Sequence, residues 1–217
     1  AMDPQQRVLL EHSYLALHSA RLERAEAAGS LIGVFVAIYM SDFGQLLRTL
    51  PAGRSVYATT GAAPSIAAGR TSYMLDLHGP CASYDTACSS ALVACHAARC
   101  ALLLDECSAS VLSAVNLVLA PAAGAGFAVA GMTSPMGRSH TFDSRADGFA
   151  RAEGCGALIL RRGGGTVDEK DMQAITAAGC VVRQDGRSAS LTAPNGSAQR
   201  DLLGATLASA AVAASEF

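Results

Sequence analysis

The segment Asp85-Thr86-Ala87-Cys88-Ser89-Ser90-Ala91 holds the residues best suited to chemistry in this chain. Its pattern puts a short strand ahead of a helix that begins at the cysteine and continues on small residues to Leu104. A helix N-terminus carries unpaired N–H groups and a partial positive charge of roughly half a unit, which favours thiolate over thiol. The same N–H groups can hold an oxyanion. Most cysteines in alanine-rich helices are simply small buried residues, and Cys95, Cys100 and Cys107 are read that way. Cys88 differs in its strand-to-helix junction and in its neighbours Thr86, Ser89 and Ser90, so it is the candidate nucleophile.

Other potential motifs lead to structural readings. Cys81, Cys88 and Cys95 recur every seven residues, as do Cys100 and Cys107, yet no paired C-x-x-C with histidine partners accompanies them, which argues against a metal site. Gly163-Gly164-Gly165 lacks the following lysine and serine or threonine of a phosphate loop and reads as a hairpin turn. Asn195-Gly196-Ser197 matches a glycosylation sequon but reads as a helix cap, since no secretory signal is visible. There is no internal repeat.

Composition sets the frame for the candidate. With 217 residues, 51% of them apolar, the chain can bury one substantial core. A net charge of −2 without a dense Lys/Arg run excludes nucleic acid as the expected partner. Seven cysteines, an odd number, argue against a disulfide framework and for a reducing intracellular compartment, the cytoplasm included. From Cys107 to Gly137 no residue is charged, a length that could cross a bilayer. Asn116, Pro121, Gly124, Gly126 and Gly131 interrupt that stretch, so a buried strand followed by a helix is expected and no membrane span.

Around Cys88 the pattern predicts a layered α/β arrangement. A helix opens at Asp3-Pro4, puts Val8, Leu15 and Leu22 on one side and reaches about Ala28. Leu31 to Tyr39 is an apolar run broken only by Gly33, the signature of a strand covered on both faces. A glycine- and proline-marked connection leads to a helix over Ser65–Leu77, a short stretch from Cys81 to Thr86, and the small-residue helix from Cys88, expected to be central and buried. Next come an interior strand over Ser108–Leu119, a helix over Ala122–Ala130 and a long ordered loop from Gly131 to Glu153. Strands over Gly156–Arg162 and Ala174–Arg183, then a helix capped by Asn195, complete the chain. In the loop, Asp143, Arg145, Asp147, Arg151 and Glu153 are read as a network that holds it near Cys88.

The cysteine segment resembles the active-site signature of β-ketoacyl synthase (ketosynthase) domains of type I polyketide synthases, members of the thiolase-like superfamily. The resemblance extends over nearly the whole chain: Met2-Asp3-Pro4-Gln5-Gln6-Arg7 with Leu9-Leu10-Glu11, Gly33-Val34-Phe35-Val36, Ala68-Gly69-Arg70, Ser72-Tyr73 and Gly79-Pro80 precede the cysteine in family order. Gly131-Met132, Ser134-Pro135, Gly137-Arg138, Thr141-Phe142-Asp143, Ala146-Asp147-Gly148-Phe149 and Leu191-Thr192-Ala193-Pro194-Asn195-Gly196 follow it, the loop members resembling the segment that lines the catalytic centre. Departures are small: Cys81 stands where serine is usual, Ala91 replaces the third serine of the signature, and Ala152 replaces a common glycine.

That resemblance implies a thiolase-like, layered α/β/α/β/α fold. Residues 1–190 would form most of its N-terminal half and 191–217 the start of the C-terminal half, so the chain is read as a partial domain without the opening strand. The implied reaction is acyl transfer followed by decarboxylative Claisen condensation in polyketide or fatty-acid synthesis. Cys88 would take an acyl chain from the phosphopantetheine arm of an acyl carrier protein, no cofactor being bound, and a carbanion from the malonyl thioester would attack it. The Cys88 backbone N–H would contribute to the oxyanion hole. Two histidine motifs on which the family's condensation depends do not occur here, and His12, His18, His78, His96 and His140 are read as structural or surface residues. The fragment is therefore expected to be inactive alone, and the intact domain to be a homodimer with the strand before Cys88 near the twofold axis. The alternatives are a non-catalytic or chain-length-type condensing-domain relative, against which Cys88 itself argues, and a thiolase-like enzyme acting on coenzyme A thioesters.

Overall fold

The computed structural model describes residues 2–39, 42–163 and 175–216. In chain order the helices are α1 (Pro4–Ser19), α2 (Arg24–Ala27), α3 (Asp42–Thr49), α4 (Ala58–Ala62), α5 (Ser65–Leu75), α6 (Ser90–Leu103), α7 (Pro121–Val129) and α8 (Gly196–Ala210). The strands are β1 (Ile32–Ile38), β2 (Cys81–Tyr84), β3 (Ala109–Asn116) and β4 (Gly154–Arg161). They form one sheet in the order β2-β1-β3-β4, with β1 parallel to both neighbours and β4 antiparallel to β3.

Every residue of β1 is buried, as its uninterrupted apolar run predicts. Ile32, Val34, Val36 and Ile38 pack beneath α1 and α5 against Leu9, Leu17, Ala67, Ala68 and Leu75. Phe35 and Ala37 face the other way, against Ala94, Ala98, Ala101 and Leu102 of α6. The period-2 alternation of a strand thus joins two helical layers through one sheet. This α/β/α sandwich is the part of the five-layered expectation that the described residues contain. Gly79 sits where β1 meets the start of β2, and a Cβ there would lie 2.5 Å from the Ile32 carbonyl carbon, so only glycine fits.

Several expectations need correction. The first helix does not run to Ala28: it stops at Ser19, Arg21 takes φ 56°, and the short α2 follows. Its buried side is Gln5, Gln6, Leu9, Ser13 and Leu17, while Leu15 is 57% exposed. Polar partners explain the reversal, because Gln5 Oε1 accepts the Leu117 N–H at 3.1 Å, and Gln6 donates to the Ala63 carbonyl and accepts from Arg70 at 2.7 Å. Buried glutamines satisfied in this way shift the inward face off the apolar pattern. The connection between β1 and α5 is itself largely helical, holding α3 and α4.

The expected strand over Ala174–Arg183 is absent among the described residues from Ile175 on, and Ala174 lies outside them. Instead, the Ala178 and Cys180 carbonyls accept from Arg99 and His96 of α6, at 3.5 and 3.1 Å. Lying along that helix, the segment pairs with neither free edge of the sheet, β2 or β4. The triple-glycine hairpin also falls mostly outside the described residues. Finally, α6 is buried on one face only, at Ser90, Ala94, Ala98, Ala101 and Leu102, whereas Leu92 is 70% exposed. Small residues at that spacing let the helix settle closely on β1 and β3.

Candidate active site

Cys88 is exposed in a one-turn 3-10 segment, Ala87–Ser89, between β2 and α6. The expected helix therefore begins two residues later, at Ser90, with Cys88 on the turn that feeds it. Side chains lock this turn. Asp85 Oδ1 accepts the Ala87 N–H at 3.1 Å, and Ser90 Oγ accepts the Thr86 N–H at 2.8 Å while donating to the Ala87 carbonyl at 2.7 Å. Ser89 Oγ donates to the Thr86 carbonyl at 2.9 Å and meets Thr86 Oγ1 at 2.8 Å. The hydroxyls flanking the cysteine thus build its platform. Ala87 pays for the sharp reversal with φ 54°, a conformation that costs a non-glycine residue roughly 1–2 kcal/mol.

Cys88 opens onto a cleft of about 730 Å³. The ends of β1 and β3 form its floor, and Phe127 of α7 and residues 149–156 form its walls. Phe127 and Phe149 meet edge to face, 6.1 Å between ring centroids, and the Arg151 guanidinium lies 5.3 Å from the centre of the Phe127 ring. Aromatic walls beside an exposed thiol give the cleft the character to hold an apolar group. Cys155 also lines the cleft, and burial pushes its thiol above the ordinary value.

The predicted loop does reach this cleft, but only through its last residues. It folds back on itself, with Phe149 N–H donating to the Met132 carbonyl at 3.1 Å and Ser134 N–H to the Phe149 carbonyl at 3.0 Å. Between those two strands of loop lies Gly148, at φ 137°, where a Cβ would come within 2.6 Å of the Ser134 nitrogen. Phe142, in one of the family-like motifs, is fully exposed and does not line the cleft.

The five loop charges do not make one network. Asp143 and Arg145 form an ion pair at 2.6 Å on the surface, where the Arg145 side chain lowers the Asp143 carboxyl below the usual range. Arg151 stacks on Phe127, and Glu153 Oε1 accepts the Val118 N–H at 2.7 Å. Sequence reasoning did not single out Asp42, whose Oδ2 accepts the Leu119 and Ala120 N–H groups, both at 3.1 Å, and so fixes the start of α7. Phe127, Asn116 and Cys155 were likewise not singled out; each sits inside an apolar or small-residue run where nothing in its type marks a cleft wall. His96 belongs to the outer side of α6, and none of the five histidines lines the cleft.

Among the described residues no helix is long and apolar enough to cross a membrane, and no group of three or more His, Cys, Asp or Glu is placed to hold a metal ion.

Comparison with known proteins converges on one family. Residues 1–164 match the model described as beta-ketoacyl synthase, N-terminal domain. The chain is 40% identical over 213 residues to a phenolphthiocerol/phthiocerol polyketide synthase of Mycobacterium tuberculosis, an alignment that covers 98% of this chain and 14% of that protein. It is also 40% identical over 203 residues to a non-reducing polyketide synthase of Penicillium canescens, across 94% of this chain and 8% of the relative. Among solved structures, the ketosynthase from module 6 of the bacillaene synthase of Bacillus subtilis 168 superposes with a TM-score of 0.80 at 32% identity, covering 97% of this chain and 36% of that one. An oxazolomycin ketosynthase domain of Streptomyces albus JA3453 gives 0.82 at 32% identity, with 98% and 38% covered. The chain therefore spans 14% or less of these polyketide synthases and just over a third of the solved ketosynthase chains.

Proposed function

The chain belongs to the β-ketoacyl synthase family, within the ketosynthase domains of polyketide synthases, and from that premise we propose that Cys88 is the acyl-accepting nucleophile of a decarboxylative condensation. The observation that carries this reading is the position of Cys88: exposed, on a hydroxyl-locked turn ahead of α6, and facing an aromatic-walled cleft.

In the first stage the Cys88 thiolate attacks the carbonyl carbon of an acyl thioester presented on the phosphopantetheine arm of an acyl carrier protein. The carbonyl oxygen gains the negative charge of the tetrahedral intermediate, and the Cys88 backbone N–H contributes a donor to it. Collapse expels the carrier thiolate and leaves the chain on Cys88. In the second stage a malonyl-type thioester loses carbon dioxide, and its carbanion attacks the acyl-cysteine carbonyl, forming the new carbon–carbon bond and releasing Cys88. In this family that stage depends on two histidine motifs that these 217 residues do not contain.

The test is iodoacetamide alkylation followed by mass spectrometry, on this chain and on a version extended to include both histidine motifs. In the extended protein, Cys88 should label at neutral pH at least about tenfold faster than Cys95 or Cys107, as an activated thiol does. It should also accept an acyl group from a carrier thioester. If Cys88 labels no faster than the other two, the nucleophile assignment is wrong and a non-catalytic relative takes its place.

A further inference from the structure

The hydrogen bonds of the turn before α6 are not shared equally between its two serines. Ser90 is 6% exposed and grips the turn twice: its Oγ accepts the Thr86 N–H at 2.8 Å and donates to the Ala87 carbonyl at 2.7 Å. Its backbone N–H donates to the same carbonyl. The Ser89 hydroxyl is exposed and reaches Thr86 alone, at the carbonyl and at Oγ1. The Ala87 carbonyl shares a peptide plane with the Cys88 N–H, and because that peptide is trans the two groups point to opposite sides of the chain. Holding the carbonyl therefore turns the N–H the other way. The neighbouring donors are engaged, Thr86 N–H by Ser90, Ala87 N–H by Asp85 and Ser89 N–H by the Thr86 carbonyl. Among the described residues the Cys88 N–H has no partner.

We infer that Ser90 is a positioning residue for acyl transfer, fixing the Ala87–Cys88 peptide so that the Cys88 N–H stays free to receive the oxyanion. This rests on the assignment of Cys88 as the acyl-accepting nucleophile and adds the residue that aims its donor. Ala87, Cys88 and Ser90 all line the cleft. Ala87 sits at φ 54°, a conformation that persists only where its surroundings over-determine it, and the buried Ser90 hydroxyl supplies that constraint. A donor aimed beforehand needs no reorganisation when charge develops on the thioester oxygen. In that step Cys88 Sγ bonds to the acyl carbon, the carbonyl electron pair moves onto oxygen and returns, and the carbon–sulfur bond of the incoming thioester breaks. The departing thiolate takes up the proton that Cys88 gave up. In alkylation by iodoacetamide, sulfur displaces iodide at a CH₂ carbon and no oxyanion forms. Ser90 should therefore weigh far more on acyl transfer than on alkylation.

The test compares the two reactions at Cys88 in the protein extended to include both histidine motifs. Octanoyl-N-acetylcysteamine is the acyl donor, iodoacetamide the alkylating agent, and mass spectrometry with fragmentation assigns each product to residue 88. Ser90→Ala should slow acylation at least about tenfold while alkylation changes by less than about threefold; loss of a whole oxyanion donor costs on the order of 10²–10³. Ser89→Ala should move the two rates together, and Ser90→Thr, which keeps the hydroxyl, should restore their ratio. If Ser90→Ala does not fold, Ser90→Cys replaces it: the thiol is close in size and hydrogen-bonds weakly, so an intermediate fall in the ratio is expected. Equal falls in both rates, no fall in either, or Ser90→Thr behaving as Ser90→Ala would overturn the inference and leave the nucleophile in place. No octanoyl-Cys88 in the unsubstituted protein would overturn the nucleophile assignment, and the role of Ser90 with it.

Discussion

The Glu153 carboxylate accepts the Val118 N–H at 2.7 Å, hanging the end of the cleft loop on the turn between β3 and α7. Three further N–H groups of that turn are held by side chains from elsewhere: Leu117 by Gln5, and Leu119 and Ala120 by Asp42. Four successive backbone donors thus find side-chain acceptors from three distant parts of the chain. The wall that carries Phe127 is set by these bonds, since an unpaired N–H near the interior is costly.

Asp42 and Glu153 should therefore contribute unequally to stability. Asp42 is 6% exposed and serves two donors, so Asp42→Ala should cost about 2–3 kcal/mol. Glu153→Ala, which removes one bond near solvent, should cost about 1 kcal/mol. Urea unfolding of the two variants checks the order, and equal losses would contradict it.

Gly148→Ala should destabilise the chain by about 2 kcal/mol or more, because it combines positive φ with contact against the Ser134 backbone. Gly69→Ala, in the middle of α5 with open space around its Cβ, should stabilise by about 0.5–1 kcal/mol. Thermal unfolding of both variants reads the two signs directly.

The part of the fold legible in sequence was the part written in periodicity. The continuous apolar run of β1 gives a strand buried on both faces, whereas the small residues of α6 give the helix but not its burial, which is confined to one face. The face of α1 was not legible, because Gln5 and Gln6 are buried for bonds to Leu117, Ala63 and Arg70 that no local pattern records. The strand expected over Ala174–Arg183 is not formed from Ile175 on for a related reason: the Ala178 and Cys180 carbonyls are taken by Arg99 and His96 of α6, partners that no local pattern records. The strand-to-helix junction that carries Cys88 was legible from type and spacing, whereas Phe127 reaches the cleft, and Asp42 the turn before α7, only through tertiary contacts.

Alkaline pH should weaken the fold through Cys155. Burial raises its thiol pKa in the folded chain, so its contribution is fully present below the ordinary thiol value of about 9 and is lost as pH rises through the folded value. Unfolding free energies measured from about pH 8 to 10.5 should fall less steeply for Cys155→Ala than for the unsubstituted chain. A slope unchanged by the substitution would show that this thiol is not coupled to folding.

Ala87→Gly should raise stability by about 0.5 kcal/mol, since glycine adopts the left-handed conformation without a Cβ penalty. The looser turn should also narrow the gap in alkylation rate between Cys88 and Cys107. Denaturation and timed labelling of the same sample measure both effects.

The strand order has a consequence for synthesis on the ribosome. In its register β1 pairs Val34 with Cys81 and Ile32 with Ala109, partners separated by 81 − 34 = 47 and 109 − 32 = 77 residues. The apolar β1 therefore precedes both of its partners, waiting through one crossover before β2 pairs one edge and through a second before β3 pairs the other. Contacts this distant in sequence are slow to close. During that interval β1 is the segment most open to wrong pairing, and nascent-chain chaperones that bind extended apolar runs should engage it until β3 has been made.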